Sequence, residues 1–344
     1  MVQKVIKRVG VITYHDGINY GAFWQVKCLS QCIEALGFDV SVVDYKSKKL
    51  TYEEFKSLFF TKNIVLILRN IVKLIRFRIS QRSAYCLISP DRVAELDCIV
   101  YGSDEIWNFN NPLINYDAYY FGGHQSSATK LLSYAPSFGT VSLEEEFPAG
   151  LMDNLKKMST VTCRDINSYE ILKNMGIKSK AMVVDPTLIS NIPVTDLKQY
   201  NNCILIYTTF LPPVIIDELK VYCLLNKKRL VAIGYQVPGV ESHVTLSPEN
   251  FVSAINSCSY VVTTMFHGVM FSIKFKKQFV IYNDSYRKNK LAYALKHLDL
   301  EGQYFEKIDS TTFDSREIDY EKINPKLNSW IKNSLNTLKE AIGG

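Results

Sequence analysis

A few stretches of this chain carry residue types that could do chemistry, and the most informative runs from Tyr260 to Lys276. Its start, Tyr260-Val-Val-Thr-Thr264, is apolar and β-branched and reads as a buried strand. Met265-Phe-His-Gly268 then turns, and Val269 to Lys276 fits a short helix packed back on a sheet better than a second strand. Strand, turn and helix together set His267 at the carboxyl end of a strand and beside a helix N-terminus. Open α/β sheets bind ligands there, and the helix amides suit an anion such as phosphate. A histidine so placed could give or take a proton near neutral pH. The plainer alternative is a histidine packed in a turn, its ring nitrogens satisfied by backbone.

Three further stretches repeat the pattern of polar residues after an apolar run. Ser159-Thr-Val-Thr-Cys-Arg-Asp165 reads as a short strand ending on Arg164, which could grip a phosphate or carboxylate with two hydrogen bonds. Its alternative is a surface ion pair with Asp165 or Glu170. Gly102-Ser-Asp-Glu-Ile-Trp-Asn108 follows the strand Leu96–Tyr101 directly. Asp104 could orient a sugar hydroxyl or take its proton, and Trp107 could stack on a sugar ring. Alternatively Asp104 makes an Asx-type turn and Trp107 fills the core. Asn19-Tyr20-Gly21 lies between a first strand, Val9–Tyr14, and a helix, Ala22–Leu36, that Gly37 stops. Without a G-x-G-x-x-G motif, this first turn does not support a dinucleotide site.

The elements that must position these residues alternate strand and helix throughout. Val40–Tyr45 completes an opening strand–helix–strand unit, the start of a doubly wound α/β domain. After a polar, proline-bearing stretch, Ile189–Asn202, the alternation begins again with a strand at Cys203 and helices from Pro213 and Ser247. Ser247-Pro248 there is a capping serine with proline at the first helical position. A strand Gln278–Tyr282, a helix Lys288–His297 and a last helix near Pro325–Ala341 follow. At 344 residues, two domains are expected, with divisions at 1–188, 189–318 and 319–344, the last helix packing back across the first domain.

Composition sets the class. Hydrophobic residues at 47% and charged residues at 22% are those of a globular protein with real cores. The net charge of +6 is local: residues 55–90 hold seven basic side chains and no acid, leaving thirty-three basic against thirty-four acidic elsewhere. A nucleic-acid footprint is therefore not indicated. The eight cysteines show no C-x-x-C pair and read as reduced thiols in a cytosolic protein, and no His/Cys/Asp cluster has metal spacing. The N-terminus lacks a signal-peptide core, and no apolar run is long enough to span a bilayer. Tyr52–Ser80 reads as one helix in which apolar residues interleave with Lys56, Lys62, Arg69, Lys73, Arg76 and Arg78. It could lie on an anionic membrane surface, or pack on the sheet with a solvated basic face.

Six of these motifs resemble, in order, the polysaccharide pyruvyl transferase family. They are Asn19-Tyr-Gly-Ala22 with Gln25 and Val43-Asp-Tyr45, then Gly102–Asn108, Tyr134-Ala-Pro-Ser-Phe-Gly139, Cys163-Arg-Asp165, Asp185-Pro-Thr187, and Phe266-His-Gly268 with Phe279 behind it. The resemblance runs from about Val9 to about Leu300. It implies two Rossmann-like domains facing across a cleft, of the glycosyltransferase-B type. It also implies transfer of pyruvate from phosphoenolpyruvate to a sugar of a cell-surface glycan, exopolysaccharide or capsule, as a ketal. The chain departs from the family pattern ahead of the histidine, where Thr264 and Met265 stand in place of an acid, serine or arginine.

Under that resemblance His267 is the general acid. Arg164, Gly268 and Lys274 hold the donor, which binds the second domain. Asn19, Tyr20, Gly21, Ser103, Asp104, Trp107 and Asn108 hold the acceptor on the first domain. No metal or cofactor is required beyond phosphoenolpyruvate as substrate. An acceptor carried on a lipid would give residues 56–82 a reason to touch the inner face of the cell membrane. Two other readings share the architecture: a glycosyltransferase using a nucleotide-sugar donor, and a non-catalytic glycan-binding module.

Overall fold

The computed structural model describes residues 7–113, 115–123, 129–282, 285–307, 312–313 and 317–343. Met1–Ile6, part of the N-terminal stretch read above for a signal segment, lie outside them. The chain divides into two compact units: residues 1–62, 81–191 and 328–344 form one, and 63–80 with 192–327 the other.

The first unit is built on a sheet of five strands, β1 (Arg8–Ile12), β2 (Asp39–Val43), β3 (Leu87–Ile88), β4 (Cys98–Tyr101) and β5 (Lys130–Ser133). Their order is β3-β2-β1-β4-β5 and every pairing is parallel. Such a sheet is covered on both faces, which is why its strands are mostly apolar and buried. Val9, Val11, Cys98 and Val100 face one core with Val26, Leu29 and Ile33 of helix α1 (Tyr20–Ala35). Ile12, Ile99 and Tyr101 face the other, with Trp107, Phe121 and Phe138. A small parallel pair, β6 (Val161–Cys163) and β7 (Ser179–Met182), lies beyond β5, with α4 (Leu151–Lys156) ahead of β6 and α5 (Ile166–Asn174) between them. Helix α6 (Pro186–Ile189) is entered through Asp185, whose carboxylate accepts from the Thr187 amide, with Pro186 at the first helical position.

The second unit carries six strands, β8 (Cys203–Tyr207), β9 (Arg229–Ile233), β10 (His243–Val244), β11 (Tyr260–Thr263), β12 (Gln278–Tyr282) and β13 (Tyr304–Phe305). Their order is β10-β9-β8-β11-β12-β13, again wholly parallel. Helices α7 (Pro213–Leu225), α8 (Pro248–Ser257), α9 (Phe266–Lys274) and α10 (Ser285–His297) connect them. Ser247 caps α8 by accepting from the Asn250 amide, as its sequence predicts.

The basic segment departs from expectation in three ways. It forms two helices, α2 (Lys48–Phe59) and α3 (Ile64–Ala84), because Asn63 accepts from the Leu66 amide and starts a new helix. Residues 63–80 belong to the second unit and not the first. Lys73 donates to the Gly234 carbonyl and Ser80 to the Glu249 carboxylate. Finally, Lys73 is buried while Ile64, Leu68 and Ile75 are exposed, so α3 turns its apolar face outward.

The last helix, α11 (Tyr320–Gly343), starts before its expected position and carries Pro325 within it. From Asn328 on, it belongs to the first unit. Trp330 donates to the Met182 carbonyl, Ser334 accepts from the Val184 amide, and Leu338, Ala341 and Ile342 close the core beneath α1. Trp330→Ala removes a buried aromatic from this seam. The expected cost is about 3–5 kcal/mol of stability, read as a lower urea midpoint.

Candidate active site

Each sheet reverses its strand order once. In the first unit β1, β2 and β3 run outward one way, and β4 and β5 the other way. In the second, β8, β9 and β10 diverge from β11, β12 and β13. The connections leaving the two central strands part at that point, and it is beyond the carboxyl ends of such strands that α/β sheets bind ligands. After β1 and β4 these connections hold Asn19 and Gly102–Asn108; after β8 and β11 they hold Thr208–Pro212 and Thr264–His267.

In the second unit, α9 begins at Phe266 and His267 sits in its first turn. Met265 enters the helix without making a side-chain cap, so the positive end of the helix dipole is left to other partners. The Thr208 and Thr264 hydroxyls meet at 2.6 Å and tie the two diverging loops together. Thr263 Oγ1 donates to the Tyr207 carbonyl and accepts from the Met265 amide, which holds the turn against β8. Gly268 lets α9 come this close: a Cβ there would stand 2.3 Å from Thr263 Oγ1 and 3.0 Å from the Tyr207 ring. The His267 ring lies edge-on to Phe266 at 5.2 Å and is mostly buried. Lys274 falls in the last turn of the same helix, about 10 Å along the axis from His267, at the end where anions are not favoured. Its expected donor contact is not supported by that placement.

In the first unit, most of the expected contact residues prove to be internal scaffolding. Asn19 caps α1 by accepting from the Gly21 and Ala22 amides, and Tyr20 and Gly21 are buried in its first turn. Ser103 is buried, its hydroxyl and amide both on Gln25 Oε1, while Gln25 Nε2 donates to Thr13 Oγ1 and Thr13 donates to the Ser103 carbonyl. One buried glutamine thus fastens the loop after β1 to the loop after β4. Trp107 is fully buried against Phe138, its indole N–H on the Tyr120 carbonyl, so it fills the core and offers no face to a sugar. Asn108, also buried, donates to Glu105.

Arg164 is the largest correction. Its guanidinium, 2% exposed, lies between Asp185 at 2.9 Å and Asp104 at 3.3 Å. Burial works against its charge, but Asp104 and Asp185 more than offset that, and Arg164 is held protonated above the ordinary arginine value. The alternative of a surface ion pair with Asp165 or Glu170 does not hold either: the pair is buried and made with Asp104 and Asp185, while Asp165 caps α5 by accepting from the Ser168 amide. Arg164 is therefore placed to orient Asp104, which keeps a partly exposed carboxylate and sits in a left-handed turn (φ 76°).

Two groups near the carboxyl ends of β1 and β2 were given no role from the sequence, although Asp44 and Tyr45 stand in the Val43-Asp-Tyr45 motif. Tyr45 stacks on Tyr119 at 3.6 Å and donates to Asp117 at 2.8 Å, both rings only partly buried. Burial, with Asp117 adding to it, pushes the Tyr119 hydroxyl up to about 12. His15 Nε2 lies 2.9 Å from Asp44. Burial works against the Asp44 charge, but His15 and Lys46 hold it below its usual range. Spacing gave no signal for either pair, since their members lie 74 and 29 residues apart. All eight cysteines are thiols outside any disulfide. No helix among the described residues is long and apolar enough to cross a membrane.

Two Rossmann-like units with wholly parallel sheets, each with its loops gathered at a strand-order reversal, define an α/β protein of the glycosyltransferase-B fold type. A UDP-N-acetylglucosamine 2-epimerase from Rickettsia bellii shares the fold at TM-score 0.50 and 8% identity, over 98% of this chain and 97% of that one. A UDP-GlcNAc 2-epimerase from Neisseria meningitidis bound to UDP-GlcNAc aligns at TM-score 0.49 and 13% identity, over 97% of this chain and all of that one. A comparison with curated proteins finds no match. The family model for polysaccharide pyruvyl transferase matches residues 19–286, and the chain belongs to that family of enzymes.

Arg164→Met leaves the Asp185 carboxylate buried without its cation. It is expected to destabilise the fold by roughly 3–5 kcal/mol in calorimetry without ligand; a surface donor contact would leave that stability unchanged. Gly268→Ala forces a methyl group against Thr263 and is expected to cost about 1–3 kcal/mol in urea unfolding.

Proposed function

We propose that the chain transfers pyruvate from phosphoenolpyruvate to two hydroxyls of one sugar in a polysaccharide or its lipid-linked precursor. Membership of the family supports this reading, and the place of His267 at the strand-order reversal of the second sheet carries the mechanism. His267 protonates the methylene carbon of the donor, which turns the enol carbon into an oxocarbenium-like centre. One sugar hydroxyl attacks that carbon and gives up its proton. A second hydroxyl of the same sugar then displaces phosphate and closes the ketal. Both hydroxyl protons are accounted for: one equivalent resides on the new methyl group and one leaves with hydrogen phosphate.

The first turn of α9 supplies the dipole for the donor phosphate. On the first unit, Asp104, its carboxylate held in place by Arg164, is the group assigned to bind an acceptor hydroxyl. The Tyr45–Tyr119 stack offers the aromatic face that buried Trp107 cannot. The reaction needs no metal or further cofactor. On this reading it takes place in the cytoplasm, at the inner face of the membrane where lipid-linked acceptors are found.

Phosphoenolpyruvate is expected to raise the thermal midpoint of the native chain with dose, by an equivalent of about 2.7 kcal/mol at a hundredfold excess over its Kd, while nucleotide sugars leave it unmoved. A shift with UDP sugars alone would overturn the donor assignment. His267→Asn is expected to keep the phosphoenolpyruvate shift yet lower phosphate release by roughly 10²–10⁴-fold. The assay offers pyranosides with free 4,6- or 3,4-hydroxyl pairs as acceptors.

A further inference from the structure

Helix α3 turns toward solvent what a helix normally buries. Ile64, Leu68, Ile71, Val72, Ile75 and Ile79 are all exposed, Ile64 at 71% and Ile79 at 64%. At about 3.6 residues per turn these six fall in one stripe about 100° wide. The opposite face is the packed one. Phe77 is fully buried, and Lys73, also buried, donates to the Gly234 carbonyl with its ammonium 4.8 Å from the Tyr235 ring. Ser80 donates to Glu249. The helix is thus held along its inner side with its apolar side displayed.

Charge selects what that side meets. Arg69 and Arg76 border one edge of the stripe and Arg78 the other, with Arg82 three residues beyond Ile79. Arg76 also donates to the Thr245 carbonyl. None of residues 55–90 is acidic. An apolar stripe edged by cations on a helix that does not span a bilayer matches a surface of anionic lipid: the stripe enters the acyl boundary and the arginines meet the headgroups. A second copy of this chain would instead have to set these arginines against one another.

We infer that α3 docks the protein on anionic bilayers, with the helix lying in the plane of the interface. The inference concerns where the chain sits and not its donor, so it stands or falls apart from the reaction proposed above. The test is flotation of the full chain with vesicles of phosphatidylcholine alone, or of phosphatidylcholine with about one third phosphatidylglycerol. No donor or acceptor is present. Binding is expected only to the anionic vesicles. Leu68→Ser with Ile71→Ser and Ile75→Ser, and separately Arg69→Gln with Arg82→Gln, should each weaken it roughly tenfold or more. Thermal midpoints should hold, because all five side chains are exposed. Three outcomes would overturn the inference: no binding to anionic vesicles, binding that both variants retain, or self-association in solution that the serine variant abolishes.

Discussion

A parallel sheet whose strand order reverses cannot close over the two loops that leave its central strands, and this constraint decides where chemistry can occur in both units. The four loops so exposed follow β1, β4, β8 and β11. Each is fastened from below by buried polar groups. Gln25 bridges the first pair through Thr13 and Ser103, and Thr208 meets Thr264 across the second. Buried polar networks of this kind are costly unless complete, so they hold the loops in one arrangement.

The same logic explains why so many motif residues turn inward. A loop at a strand end can present a few groups only if its remaining polar atoms are satisfied elsewhere. Asn19, Ser103 and Asn108 do that satisfying, and Trp107 anchors the turn in the core. Arg164 spends its charge on Asp185 and Asp104. What remains open on the first unit is Asn19, the edge of Asp104 and the partly buried Tyr45–Tyr119 stack, while on the second the mostly buried His267 stands in the first turn of α9.

The exposed stripe on α3 departs from the pattern that organises both cores. In α1, α8 and α9 apolar periodicity reports an inward face, whereas in α3 the inward face is marked by Lys73, Phe77 and Ser80. Lys73 shows how a cation can be interior: its ammonium finds a carbonyl and an aromatic ring, and its stem packs. A helix attached through such contacts has its apolar side available for a different solvent.

The sequence by itself determined the alternation of strands and helices, the parallel α/β class, the passage from strand to helix after Thr264 (with α9 starting at Phe266, earlier than the Val269 expected) and the capping of α8. Each follows from residues close together in the chain: apolar runs for strands buried on both faces, glycine where backbones approach, serine before proline at a helix start. Only the tertiary structure decided which motif residues are buried and paired within the fold. Arg164 meets Asp185 twenty-one residues on, and Tyr45 meets Tyr119 across the first unit. It also decided that α3 buries its lysine and shows its isoleucines. Amphipathic periodicity fixes that a helix has two faces but not which one is turned inward, and that choice rests on contacts with Gly234, Tyr235 and Glu249, more than a hundred residues away.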